Sequence, residues 1–90
     1  MAVLHEKITV SVFHIKRMNI ELEVVLRSNG LVKIEPYRCK AENLRLWTGI
    51  AKTQGVLAQT QLELNKGGQL LSVLYSLFHH NGWEIMEPVR

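Results

Sequence analysis

The sequence predicts an α+β domain: an antiparallel sheet of about five strands made of consecutive hairpins, one C-terminal helix packed on or gripped by that sheet, and a short final strand. Three observations lead there. Ile20, Leu22, Val24 and Leu26 alternate with Glu21, Glu23 and Arg27, the period of two that a half-buried strand requires. Between residues 70 and 78 the apolar side chains recur at helical spacing. Asn81 and Gly82 then separate that helix from a second short run that stops at Pro88. A chain of 90 residues has room for one core, so residues 1–90 are read as a single domain.

The first strand covers residues 7–16. Ile8, Val10 and Val12 share one face, while Phe13 and Ile15 fall on the other. Either a bulge at Val12 and Phe13 turns Phe13 inward, or Phe13 stays outside and His14 points toward the core; both readings stay open. Beyond the second strand lie Ser28, Asn29 and Gly30. A two-residue turn there would set Leu26 opposite Lys33 and Val24 opposite Glu35. A three-residue loop with Gly30 left-handed pairs Leu26 with Val32 and Val24 with Ile34 instead. It also sets Glu23 against Glu35, a like-charge pair that costs a few tenths of a kcal/mol.

Residues 43–64 read as a second hairpin, turning at Thr53, Gln54 and Gly55. Gly49, Gly55, Thr48, Thr53 and Thr60 are poor helix formers. One hairpin register pairs Leu44 with Leu64, Leu46 with Leu62, Thr48 with Thr60 and Ile50 with Ala58, and sets Arg45 against Glu63 on the other face. Asn65 is placed to cap a helix that starts at Lys66, with Gly67 and Gly68 weakening its first turn. That helix runs to about His80, and Asn81 and Gly82 supply a left-handed stop. Residues 83–87 form the last strand, ended by Pro88.

On a helical wheel Leu70, Leu71, Val73, Leu74, Tyr75, Leu77 and Phe78 fill an arc of about 200°. One flat sheet face covers a stripe only a little over 100° wide, so about half of that apolar surface needs another cover. Leaving two or three of these side chains wet would forfeit roughly 1.5–3 kcal/mol each. Either the sheet curls around the helix, or a second molecule covers the exposed side. Val25, Tyr37, Trp47 and Leu57, expected on the outward sheet face with Arg45 beside them, favour a second molecule. Aromatic side chains with an adjacent Arg have the composition of an interface core.

Eleven Lys and Arg against eight Glu give a net charge of +3, without a basic run. The first residues lack the basic-then-apolar order of a secretory signal. No apolar run approaches the roughly 20 residues that span a bilayer. The expected setting is the cytoplasm, with no membrane partner. The single cysteine, Cys39, excludes an intrachain disulfide and a thiolate zinc site. His79 and His80 point about 100° apart on a helix, unsuited to one metal ion, and read as imidazoles at the negative end of the helix dipole. His5 and His14 have no carboxylate at a spacing that would join them. Residues 65–68 lack a phosphate-loop pattern. No nucleophile, base and orienting group can be grouped, so no catalytic residue, metal or cofactor is expected.

The function these features imply is that of a small non-enzymatic interaction domain, adaptor or regulatory, acting as a homodimer that engages another protein. Its expected contacts are Tyr37, Arg45, Trp47 and Leu57 on the sheet, and Leu71, Tyr75 and Phe78 at the edges of the helix's apolar arc. The alternative is nucleic-acid binding, with Trp47 and Tyr37 stacking on bases and Lys33, Arg45 and Lys52 on phosphates. A third reading places a small apolar ligand between a curled sheet and the helix.

Overall fold

A computed structural model describes residues 9–28, 30–40, 42–65 and 69–86. Along the chain the elements are β1 (Thr9–Arg17), β2 (Ile20–Arg27), β3 (Val32–Pro36), α1 (Leu44–Asn65), α2 (Leu70–His80) and β4 (Glu84–Met86). The strands form one antiparallel sheet in the order β3-β2-β1-β4. The α+β class and the antiparallel sheet are as the sequence implies, with four strands rather than about five.

The β2–β3 hairpin forms in the register that core matching demands. Leu26 pairs with Val32, Val24 with Ile34 and Glu23 with Glu35. Gly30 sits at φ 85°, and its N–H reaches the Arg27 carbonyl at 2.9 Å. The like-charge pair is relieved sideways. Glu35 lies 3.6 Å from Lys33 on its own strand, and Glu23 turns to His14.

In β1 the irregularity lies between Thr9 and Ser11 rather than at Val12 and Phe13. Phe13 and Ile15 point inward and are fully buried. Val12 pairs with Val25 on the outer face, so the expected core set of Ile8, Val10 and Val12 is corrected. Ile8 lies outside the described residues, and Val10 is exposed. His14 is also buried, yet on the sheet's outer face, which neither sequence alternative foresaw.

The largest correction concerns residues 43–64. The expected second hairpin is instead α1, a helix of 22 residues. Thr48, Thr53 and Thr60 each donate a hydroxyl hydrogen bond to the carbonyl four residues back, at 2.8, 3.0 and 3.0 Å, which satisfies their polar groups within the helix. The small residues Ala51, Gly55 and Ala58 are buried on one side. A Cβ at Gly55 would already stand 3.6 Å from Ile34 and 3.7 Å from Val32, so α1 seats closely on β3. The expected capping residue Asn65 is the last residue of α1, and α2 begins after Gln69. Lys66, Gly67 and Gly68 lie outside the described residues.

Both helices cover the same sheet face. α1 packs on β3 and β2, α2 on β4, and the helices pack on each other. Phe13 of β1 meets α2 edge-on at Tyr75 and Phe78, with centroids 4.8 and 6.2 Å apart. The core joins Phe13, Ile15, Ile20, Leu22, Val24, Leu26 and Ile34 of the sheet to Ala51, Ala58, Leu70, Leu74, Phe78 and Trp83. The wide apolar arc of α2 therefore meets the sheet through Leu70, Leu74 and Phe78, while Val73, Leu77 and Leu62 of α1 are partly buried against the same core. A second helix of the same chain supplies part of the cover that curling or a partner was expected to supply, and Leu71, Val73, Tyr75 and Leu77 stay half-buried.

The end of α2 follows the sequence. Gly82 at φ 87° donates to the His79 carbonyl, and Trp83 donates to that of Phe78, the pair of bonds of a Schellman stop. Trp83 then enters the core, and β4 pairs with β1 through Ile85 and Ile15. Glu87 and Pro88 lie outside the described residues.

Candidate functional site

Because residues 44–65 are helical, the expected outer-face contacts separate. Arg45, Trp47 and Leu57 stand on α1, not on the sheet's outer face. Trp47 is half-buried, edge-on to Trp83 at 6.1 Å, with the Arg17 guanidinium 4.6 Å over its ring. Arg17 also donates to the Asn81 carbonyl at 2.9 Å. Trp47 thus belongs to a clasp between α1 and the end of α2. Phe78 is fully buried and cannot be a surface contact; Leu71 and Tyr75 are half-buried. Of the four expected sheet contacts Tyr37 alone lies on the outer sheet face, the face that also carries Val25 as expected, and its ring covers His14 at 3.8 Å between centroids.

His14 is the polar centre of that face. Its Nδ1 lies 3.3 Å from Glu21 Oε2, and its Nε2 lies 3.3 Å from Glu23 Oε2. A neutral imidazole donates to one of them at a time. The sequence reading found no carboxylate for His14; the signal was present in the two-residue Met18 and Asn19 turn, which sets Arg17 against Ile20 and His14 against Glu23. Nearby, the Cys39 thiol donates to the Glu21 carbonyl at 3.3 Å. With a carboxylate oxygen 3.3 Å from each ring nitrogen and Tyr37 closing the ring face, the cluster ties down the chain after β3. Among the described residues no group of three or more His, Cys, Asp or Glu could hold a metal ion. At the end of α2, His80 Nδ1 lies 2.7 Å from the Ser76 carbonyl, so that imidazole serves the helix terminus as expected.

The cations of the nucleic-acid alternative come together without its aromatic rings. Lys33 and Lys52 line a cleft of about 420 Å³ between β3 and α1, with Val32, Ile34, Gly55 and Val56 as its apolar floor. Arg45 and Lys52 line the neighbouring cleft beside Glu35 and Pro36. Trp47 and Tyr37 are each held by other side chains.

What stands open is the outward side of α1. Its inner side is Leu44, Trp47, Ala51, Gln54, Gly55, Ala58 and Leu62. Turned away from these, Leu46, Leu57 and Leu64 are 59%, 50% and 76% exposed, with half-buried Ile50 and exposed Thr53 and Thr60 between them. At 100° per residue these six occupy an arc of about 80°, and the uncharged surface around them spans about 140°. The helix's charged residues, Arg45, Lys52 and Glu63, fall within about 20° of one another along one edge of that arc. Scattered exposed apolar residues are ordinary. Three leucines aligned over a 22-residue helix, with no charge among them, form a continuous stripe.

No helix of the described residues is long and apolar enough to cross a membrane. Comparison with known proteins finds no family model that matches, and no curated protein or solved structure of significant similarity.

Proposed function

We propose that this chain is a non-enzymatic protein-interaction domain, adaptor or regulatory, that works as a homodimer in the cytoplasm through the exposed stripe of α1. The observation that carries the reading is the alignment of Leu46, Leu57 and Leu64 on the solvent side of a helix whose opposite side is already buried. Burying a leucine fully contributes about 1.5–3 kcal/mol. Because Leu46, Leu57 and Leu64 are 59%, 50% and 76% exposed, six such side chains from two copies contribute about 6–11 kcal/mol, comparable to an association cost of about 4–15 kcal/mol, so the dimer is one that dissociates on dilution. The wide helix arc that first suggested a partner is partly covered within the chain, since α1 packs on α2; the more exposed apolar surface is on α1 itself.

Light scattering across a concentration series tests the reading. A mass that rises from one chain to two supports it, and a single-chain mass at every concentration removes the homodimer.

A second reading, contact with a polyanion, is favoured by Lys33, Lys52 and Arg45 lining two adjacent clefts. It works by charge alone, without base stacking, and so requires affinity that falls steeply as salt rises. Titration with a single-stranded oligonucleotide at low salt that shows no binding ends it.

A further inference from the structure

We infer that two copies of this chain pair their α1 helices antiparallel, about a two-fold axis beside Thr53, Gln54 and Gly55; this rests on the homodimer reading above and specifies its geometry. The stripe is self-complementary about its middle. Leu46 and Leu64 lie nine residues to either side of position 55, Ile50 and Thr60 five to either side, and Thr53 and Leu57 two to either side. In an antiparallel pair centred there, Leu46 meets Leu64 of the other copy, and each polar Thr meets an apolar Leu or Ile rather than another Thr.

The charged edge selects this arrangement over a parallel one. A two-fold contact presents the same patch on both copies, and antiparallel helices bring the same edge of each together. Arg45 and Glu63 lie nine residues to either side of position 54 on that edge. With the axis at position 55, each Arg45 lies two residues, about 3 Å along the axis, from the level of Glu63 of the other copy, within reach of their long side chains, giving two opposite-charge pairs across the contact. Lys52 meets its own counterpart only obliquely, displaced by roughly 6 Å or more along the axis at 1.5 Å per residue. A parallel pair would turn the charged edge toward the α2 side of the other copy and leave Arg45 and Glu63 without counterparts. Gly49 lies beside the stripe, within its uncharged surface, and nothing stands within 4 Å of where its Cβ would be.

The test is disulfide trapping in a Cys39→Ser background. Chains carrying Leu46→Cys are mixed with chains carrying Leu64→Cys and oxidised. Crosslinking in the mixture, with little in either variant alone, is the expected result. Crosslinking of each variant with itself means parallel helices and overturns the inference. Charge exchange gives an independent readout. Arg45→Glu and Glu63→Arg should each weaken dimerisation severalfold, and the two substitutions in one chain should restore it. If both exchanges leave the dimer unchanged while Leu57→Glu dissociates it, the antiparallel geometry is wrong and the homodimer reading stands. A wild-type chain that never dimerises overturns both.

Discussion

The indole N–H of Trp83 donates to the side-chain oxygen of Gln54 at 3.0 Å in the closed interior, and this one bond joins the residue leading into β4 to the middle of α1. Both residues are buried. Trp47 stacks edge-on against the same indole, so the long helix is fastened to the end of α2 at two of its inward positions.

Replacing Gln54 with Met keeps the volume and removes the acceptor, which leaves the Trp83 N–H unsatisfied. The expected loss is about 1–3 kcal/mol. Adding Trp83→Phe to that variant should cost less than the two single losses combined, because the polar group left unpaired is removed with its partner. Urea denaturation of the two single variants and the double variant reads the coupling directly.

The glycines divide into two kinds. Gly49 is helical with open space around it, so Gly49→Ala should stabilise the folded chain by about 0.5–1 kcal/mol. Gly82 stands at φ 87°, with the Arg17 guanidinium 3.5 Å from the position of a Cβ. Gly82→Ala should destabilise by about 1 kcal/mol through backbone strain alone, and should loosen the Arg17 contact with Trp47. The shift in denaturation midpoint, with opposite sign for the two variants, is the measurement.

His14 is held between two carboxylates and beneath an aromatic ring. His14→Ala removes that contact and leaves Glu21 and Glu23 without it. The expected cost is about 1–2 kcal/mol. Tyr37 fluorescence should report a more exposed ring, and the segment after β3 should exchange its amide protons faster than in the parent chain. An unchanged exchange rate there would show that the cluster does not anchor the segment.

On the open stripe, Leu57→Glu and Leu64→Glu should leave the fold intact, because neither side chain belongs to the core. Each should weaken dimerisation at least tenfold, which corresponds to about 1.4 kcal/mol. Sedimentation of the variants at the concentration where the parent chain is dimeric checks this, with circular dichroism as the control for folding.

The candidate surface was only partly legible in sequence. Leu57 and Arg45 were singled out, but for a sheet face that does not contain them. Leu46 and Leu64 were assigned inward places in a hairpin, and they are among the exposed side chains of the structure. Phe78 was named for the edge of an apolar arc whose width was right and whose cover was not foreseen. His14 was set aside because its partners come from another strand, and only the β1–β2 register brings them within reach.

Alternation and turn chemistry were sufficient, without tertiary knowledge, to establish the β2–β3 register, the left-handed Gly30, the end of α2 at Gly82 and the strand that follows Trp83. Each rests on neighbours close along the chain, where period, charge and backbone freedom all favour the same answer. Residues 43–64 are different, because glycines and threonines suppress local helix preference while the leucines match either a period of two or a helical spacing. Long-range packing decided between them. As a helix, this segment seats Ala51, Gly55 and Ala58 against the sheet, gives Trp83 a hydrogen-bond partner and packs on α2, contacts that no window of local sequence contains.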